Sequence, residues 1–421
     1  MWQSIRSVTS LLLSFGLLLV ANGMFGTLLG LRSKHEGFST EIVGFVMAAY
    51  FIGLLLGATY AVRVVAAVGH IRGFAAFASI MSVAVLAHVL WIDPIVWFFL
   101  RAVAGFCMAG MVMVVESWLN EKATNATRGQ ILSIYMMINY LGSGMGQFLI
   151  TVADPAEFQL FAVASIVFSL ALVPILLTRA SGPRPSSPQR MKFRDLYGIS
   201  PLGVIGSVCA GLVNSSINAM GPVFARDSGL SVFGVSTFMA CVITGGVVLQ
   251  FPIGRLSDYF DRRTILLIVT MAAPVAAMAI VWATGQAPIW LFVIGAVYGA
   301  FSFTVYPLCS AQINDMADPD KLVQISAGVL FAYGCGASVG PILAAQMMGR
   351  FGPEGMFISN AALVGILALF TAYRMIRRDR QTKPKAPFMP LGGVGVSSKQ
   401  LYNATIKPLL QPRTRNRKTG D

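Results

Sequence analysis

The feature that most constrains this chain is a series of twelve apolar stretches, each long enough for a membrane-crossing helix. Such a helix needs about 20 apolar residues to cross the ~30 Å hydrocarbon core of a bilayer. Hydrophobic residues make up 56% of the sequence and charged residues 11%, against about a quarter charged in soluble domains. We therefore predict an all-α membrane protein with spans at 8–31, 41–65, 72–92, 95–120, 128–153, 157–179, 199–224, 231–255, 263–283, 287–312, 322–348 and 354–376.

A polar stretch in the middle of the chain divides the twelve spans six and six. We predict an N-terminal half at residues 1–180, a cytoplasmic linker at 181–198, a C-terminal half at 199–379 and a tail at 380–421. The tail is rich in Pro, Gly and basic residues, a composition typical of disorder. Its charge favours contact with anionic membrane lipid, and no fold signal points to nucleic acid.

Lysine and arginine are distributed unevenly between the two sides of the predicted bundle. With the N-terminus inside, four basic residues lie outside, Arg32, Lys34, Arg226 and Arg350, against twenty-six inside. Cytoplasmic loops carry such an excess. Both termini are therefore predicted to be cytoplasmic in a multi-pass protein of the cytoplasmic (inner) membrane.

The sequence lacks the usual marks of a metal centre or an enzyme. Its five cysteines fall inside predicted spans without CxxC spacing, and no His, Cys or carboxylate cluster has metal-ligand spacing. There is no nucleophile–base set and no Walker-type GK[ST] loop. We predict no metal, no cofactor and no enzymatic activity.

The two halves repeat one another in sequence. A shift of 194 residues aligns polar and glycine positions of spans 4 and 5 with those of spans 10 and 11: Gly105 with Gly299, Asn120 with Asn314, Gln130 with Gln324, Gly142 with Gly336 and Gly146 with Gly340. A shift of 192 pairs Asn22 with Asn214. Parallel six-helix repeats of this kind place a substrate site near the midplane and rock around it.

Two motifs resemble those of a known family, the major facilitator superfamily. The loop after span 8, GRLSDYFDRR at residues 254–263, is similar to the family's G-x-x-x-D-x-x-G-R-R signature, with Asp261 at the second Gly. In the matching loop after span 2 only Gly69 and Arg72 remain. Span 4 carries RAVAG at residues 101–105, similar to the R-x-x-x-G pattern of proton-coupled members. The stretches GHIRGFAAFAS and VVESWLN are also similar to an uncharacterised branch of bacterial inner-membrane permeases.

The resemblance implies a proton-coupled secondary transporter of a small polar or anionic solute, working as a monomer by alternating access between its halves. Spans 1, 4, 7 and 10 line the path in that fold. The cavity residues expected from these spans and their neighbours are Arg101, Asn22, Asn139, Gln147, Asn214, Asn218, Tyr298 and Tyr333. The expected gating loop and latch comprise Gly254, Asp258, Arg262, Arg263, Glu116 and Arg72.

Span 4 is unusual because it carries two charges, Arg101 and Glu116, fifteen residues apart. At 1.5 Å per residue they lie about 22 Å apart along the helix and cannot pair. Arg101 either binds an anionic group or tunes a proton site in the cavity, or it hydrogen-bonds backbone carbonyls between helices. Glu116 is expected to pair with Arg63, Arg72 or Arg128; a plain helix-end acid and a proton carrier are the alternatives.

Protons need a carrier, and the candidates are Glu116, His88 and Asp258. In the family an Asp placed like Asp258 faces the positive N-terminus of a helix in the other half, which the helix dipole favours; a solvated loop charge is the alternative. A second function also fits the sequence: a non-transporting membrane sensor or scaffold on a transporter fold, with the basic tail as its contact. A scaffold would tolerate loss of the cavity residues and fail without residues 380–421.

Overall fold

The structure is a computed structural model that describes residues 9–122, 128–177, 191–318 and 321–377. These residues are almost entirely helical and contain no β-strand. The predicted tail at 380–421 and most of the predicted linker lie outside them. The helices in these ranges are α1 Thr9–His35, α2 Thr40–Val68, α3 His70–Leu90, α4 Pro94–Lys122, α5 Arg128–Leu149, α6 Gln159–Leu170, α7 Leu172–Leu176, α8 Phe193–Ile199, α9 Pro201–Asp227, α10 Val232–Tyr259, α11 Arg262–Ala283, α12 Pro288–Met316, α13 Leu322–Phe351 and α14 Gly355–Arg377.

The predicted twelve-span, all-α architecture is confirmed. In the described residues eleven helical segments are long and apolar enough to cross a membrane, counting α6 and α7 as one. That sixth span is interrupted after Leu170 because Pro174 has no N–H to offer the carbonyl four residues earlier. The remaining span is α5, which is less apolar because it carries a row of polar residues that face the interior of the bundle.

The predicted linker is partly helical where it is described. Helix α8 occupies its last residues, and Leu196 on α8 is fully buried. The backbone N–H of Met191 donates to the carbonyl of Gln324 on α13 at 3.2 Å. Ser200 then caps α9, accepting from the N–H of Gly203 at 3.3 Å. The end of the linker is therefore docked on the second half.

The sequence repeat appears in three dimensions as matched helix crossings. A Cβ at Gly105 on α4 would clash with the carbonyl oxygen of Tyr50 on α2, and a Cβ at Gly299 on α12 would clash with the corresponding carbonyl on α10. Gly146 and Gly340 mark equivalent crossings of α5 with α1 and of α13 with α9. In lipid, close backbone approach of this kind supplies much of the packing energy. Both halves therefore use glycine at the same points to bring the same helices together.

The two halves meet at the membrane face opposite the described chain ends. There Lys34 at the end of α1 forms an ion pair of 3.2 Å with Asp227 at the end of α9. Close by, Gly44 on α2 packs so tightly on α13 that a Cβ would clash with the Ala345 side chain. These contacts join the two halves at this face of the bundle.

Candidate functional site

A cavity of about 70 Å³ lies between the two halves, near the middle of the bundle. Sixteen residues line it: Asn22, Gly23, Gly26, Thr27, Tyr50, Phe51, Arg101, Asn139, Tyr140, Ser143 and Gln147 from the first half, and Asn218, Ala219, Met239, Ile243 and Phe303 from the second. Five of the eight predicted cavity residues are among them: Arg101, Asn22, Asn139, Gln147 and Asn218.

Arg101 dominates the chemistry of this cavity. Its guanidinium carbon lies 4.5 Å from the centre of the Tyr50 ring and 5.4 Å from that of Phe25. The residue is 4% exposed, and in the described part of the chain its Nε and Nη1 atoms have no hydrogen-bond partner. Cation–π contacts are worth up to about 2 kcal/mol when desolvated, less than the several kcal/mol that burying a cation costs. An anion in the cavity would offset the remaining cost.

The motif around Arg101 explains how this contact forms. Gly105 lies one helical turn after Arg101, and it lets α4 approach the backbone of α2 at Tyr50. The Tyr50 ring can then reach the guanidinium, and its hydroxyl donates to Oδ1 of Asn22 at 3.0 Å. Tyr50 was missed by the sequence analysis because span 2 was not expected to line the path. A tyrosine in the middle of an otherwise apolar span 2 was the signal that could have pointed to it.

The rest of the first-half wall consists of hydrogen-bonding groups. Thr27 donates to Oε1 of Gln147 at 2.5 Å, and Nε2 of Gln147 donates to the carbonyl of Gly23 at 3.2 Å. These bonds join α1 to α5 and orient the amide. Asn139 is 2% exposed, and its Oδ1 has no partner in the described part of the chain. The wall therefore contains a buried amide oxygen whose hydrogen-bonding capacity is unused within the described residues.

The second-half wall of the cavity is mostly apolar. Its side chains come from α9, α10 and α12, and Asn218 is the polar one among them. Asn218 donates to the carbonyl of Asn214, one turn earlier on the same helix, at 2.7 Å. The cavity thus has one polar, cationic wall and one mostly apolar wall.

Three predicted cavity residues, Asn214, Tyr298 and Tyr333, are not among the residues that line this cavity. Asn214 accepts from Ser302 at 3.1 Å, and the hydroxyl of Tyr298 accepts from Nδ2 of Asn360 at 3.0 Å. The ring of Tyr333 lies 4.6 Å from that of Tyr306. These contacts join α9, α13 and α14 to α12 within the second half.

His88, a predicted proton carrier, lies behind the Phe25 ring rather than among the cavity-lining residues. The two rings are 5.3 Å apart. Its Nδ1 is 2.7 Å from the carbonyl of Ala84, and its own carbonyl accepts from Nε1 of Trp97 at 3.0 Å. The residue is fully buried, and its Nε2 has no partner in the described part of the chain. His88 therefore supports the aromatic ring on which Arg101 rests.

The predicted gating loop contains a compact charge cluster. Arg262 is buried and donates to Oδ2 of Asp315 at 2.6 Å and to Oδ1 of Asp258 at 3.1 Å. Arg263 pairs with Asp261 at 3.2 Å. Asp315, at the end of α12, was missed by the sequence analysis because it lies 53 positions from Arg262.

The other gating residues are more dispersed. The carbonyl of Gly254 accepts from the hydroxyl of Ser257 at 2.7 Å, and the side chain of Arg72 is exposed. The contact predicted between Asp258 and a helix terminus in the first half stays a prediction.

Glu116 is buried at the end of α4 away from Arg101. It accepts a short hydrogen bond from the hydroxyl of Tyr135 on α5. It forms no ion pair with Arg63, which lies over the Tyr60 ring, or with Arg72. The side chain of Arg128, the third expected partner, lies outside the described residues. Glu116 is thus an interior acid of the first half, 2% exposed.

Among the residues that the structure describes, no group of three or more His, Cys, Asp or Glu side chains could hold a metal ion. The groups that line the cavity are one guanidinium, amides, hydroxyls and an apolar surface.

Comparison with known proteins agrees with the helix arrangement. The profile of the Major Facilitator Superfamily matches residues 11–238 and 203–415. An uncharacterised MFS-type transporter, YcaD of Escherichia fergusonii, is 29% identical over 379 residues, covering 90% of this chain and 97% of the relative. The crystal structure of the nucleoside transporter NupG superposes with a TM-score of 0.74 at 13% identity, covering 89% of this chain and all of that one. A D-xylose–proton symporter gives 0.66 at 15% identity, covering 87% and 97%.

Proposed function

The chain belongs to the major facilitator superfamily, and on that premise we propose that it is a proton-coupled secondary transporter of a small polar or anionic solute. It would work by alternating access between its two halves, as a monomer surrounded by membrane lipid. Transport, rather than catalysis, is the activity that membership of this family supports. The identity of the solute and the coupling to protons are our own extension.

The observation that carries the proposal is Arg101 without a counter-ion in a cavity shared by both halves. A buried charge in a membrane protein is costly and marks a functional site by default. Arg101 has aromatic faces but no acidic partner in the described residues. A solute that supplies an anionic or strongly hydrogen-bonding group would complete the site.

Alternating access gives roles to the contacts between the halves. The Lys34–Asp227 pair closes the face opposite the chain ends, and it would have to break when that face opens. With the termini in the cytoplasm, as the distribution of Lys and Arg favours, that face is the external one. The cluster of Arg262, Asp258 and Asp315 would hold the cytoplasmic ends of α10, α11 and α12 as one body during the movement.

Proton coupling rests on the R-x-x-x-G motif and on the likeness of the fold to a proton symporter. No Asp, Glu or His is among the residues that line the cavity. The carrier would therefore lie outside the cavity, and the interior acid Glu116 is our candidate. Uptake into vesicles that is unchanged when the pH gradient is collapsed would refute the coupling and leave transport itself untouched.

The test begins with a thermal-shift screen of purified protein against metabolites, organic anions and drugs. Wild type, Arg101→Ala and a matched control, Arg350→Ala, are screened together; Arg350 is exposed at the end of α13. A ligand present at 100 times its Kd stabilises the folded state by about 2.7 kcal/mol. We expect a ligand that shifts wild type and Arg350→Ala but not Arg101→Ala, and that exchanges across proteoliposome membranes.

The same cavity variants, together with a deletion of the tail, separate transport from the sensor or scaffold alternative. In cells, loss of the whole gene gives a phenotype against which the variants are compared. If cavity variants behave like wild type and deletion of residues 380–421 behaves like loss of the gene, the protein is a sensor or scaffold. If ligand binding and exchange both require Arg101, the transporter reading stands.

A further inference from the structure

We infer that the cavity binds an organic monoanion with an apolar body, its anionic group at Arg101 and its body against the second half. The inference rests on the proposed transport function, since it names the substrate class of the same cavity. It follows from three properties of the sixteen lining residues: their net charge, the shape of the guanidinium site and the polarity of the opposite wall.

The charge of the cavity lining matches a single negative charge on the ligand. Arg101 is the one Lys, Arg or His side chain among the lining residues, and no Asp or Glu lines the cavity. The ammonium group of a zwitterion would find no carboxylate there, and the second carboxylate of a dianion would find no second cation. Buried charges without partners are strongly unfavourable. A monoanion is the charge state that leaves no group unpaired.

The shape of the Arg101 site favours a carboxylate. The guanidinium carbon lies 4.5 Å from the centre of the Tyr50 ring and 5.4 Å from that of the Phe25 ring, so aromatic rings take up part of its surroundings and its N–H groups are the donors left for an anion. Nε and Nη1 lack partners in the described residues. Planar oxyanions such as carboxylates bind guanidinium edges through paired, charge-assisted hydrogen bonds.

The opposite wall favours a hydrocarbon body on the ligand. Ala219, Met239, Ile243 and Phe303 are all buried and contribute no side-chain hydrogen-bonding group. A ligand with hydroxyl groups on every side, such as a sugar, would lose hydration there without finding partners. Methylene or aromatic groups lose nothing by the same contact and gain the hydrophobic term. The two walls therefore select an amphipathic ligand by opposite criteria.

The test measures binding of defined probes to the full chain in lipid nanodiscs by calorimetry. The probes are acetate, butyrate, hexanoate and 3-phenylpropionate, with 3-phenylpropanamide as the uncharged analogue and succinate as the dianion. We expect the affinity to rise about fourfold per added methylene, the equivalent of about 0.8 kcal/mol per buried CH₂. We expect 3-phenylpropanamide to bind roughly ten- to a hundredfold more weakly than 3-phenylpropionate, because it loses a charge-assisted pair.

Two kinds of variant separate the two walls. Arg101→Gln should abolish the preference for carboxylate over amide and keep the chain-length dependence. Met239→Gln, similar in shape but polar, should flatten the chain-length dependence and keep the preference for carboxylate. Ile243→Thr is the second variant for the apolar wall, and unfolding of each ligand-free variant is measured first so that a misfolded protein is set aside.

Several results would overturn the inference. These are equal affinity for the amide and the carboxylate, tighter binding of succinate, an affinity independent of chain length, or no binding of any monoanion. If another solute exchanges in an Arg101-dependent manner and the carboxylates do not compete, the substrate class is wrong and the proposed transport stands. If no solute exchanges and Arg101→Ala has no effect in any assay, the proposed function itself fails.

Discussion

Replacing Arg262 by alanine removes a guanidinium that is almost wholly buried and bound to two carboxylates. Its side chain is 1% exposed, that of Asp315 is 11% exposed and that of Asp258 is 30% exposed. Removing one partner of a buried pair costs about 3–5 kcal/mol, because the other charge stays buried without compensation. The Asp258 pair adds at most about 1 kcal/mol, since that carboxylate recovers water. We therefore expect Arg262→Ala to lower the free energy of unfolding by about 3–5 kcal/mol.

The neighbouring arginine provides a matched control. Arg263 pairs with Asp261 at 3.2 Å, with side chains 11% and 20% exposed, and both residues lie at the start of α11. Reversible unfolding by SDS in mixed micelles measures both variants under the same conditions. We expect Arg263→Ala to lose less than Arg262→Ala, because the carboxylate left behind, Asp261, is more exposed than Asp315 and still accepts from the backbone N–H at position 263. Arg262→Ala/Asp315→Asn should be more stable than Arg262→Ala alone, because the double variant no longer buries a carboxylate whose guanidinium has been removed. Equal losses for the two arginines, or no recovery in the double variant, would refute this reasoning.

Three further predictions follow from named contacts. Lys34→Ala and Asp227→Ala should each favour opening of the face at which this ion pair lies, and the exchanged pair Lys34→Asp/Asp227→Lys should restore the wild-type state. Distances between spin labels on α1 and α9 measure the opening. Distances in the single variants that equal those of wild type would contradict the prediction. Gly105→Ala should cost about 1–3 kcal/mol of stability by overpacking. Gly365→Ala, where a Cβ meets open space, should be neutral or stabilising by up to about 1 kcal/mol. Equal SDS midpoints for the two variants would refute the view that Gly105 is needed for the close crossing of α4 and α2. Trp97→Phe should cost about 1 kcal/mol by leaving the carbonyls of His88 and Trp91 without the indole N–H that they share, and an unchanged midpoint would show that this shared bond contributes nothing.

Placement of the polar residues shows where sequence reasoning succeeds and where it stops. Asn214 and Asn218 lie one turn apart on one helix, and both were expected at the cavity. Asn218 lines it, whereas Asn214 binds Ser302 inside the second half. The difference is a small angle around the axis of α9, which no property of the helix alone specifies. It depends on how α9 packs against α12 and α13.

Charge partners show the same limit. The sequence marks Glu116 and Arg262 as costly charges inside or beside spans, and both are buried. The sequence analysis missed two partners: Tyr135 lies on the helix after that of Glu116, and Asp315 lies at the far end of the helix after that of Arg262. Of the bases expected to pair with Glu116, Arg63 lies over the Tyr60 ring and Arg72 is exposed.

The amino-acid sequence alone predicted a helical membrane protein of two repeated halves. It did so because span length and glycine periodicity are one-dimensional properties, and bilayer thickness and backbone hydrogen bonding translate them directly into helices. Tertiary structure alone decided that Tyr50 lies on the guanidinium of Arg101, that the opposite wall is apolar and that Lys34 meets Asp227. Each of these depends on the rotation and crossing of helices distant in sequence, and these are set by the packing of many side chains at once.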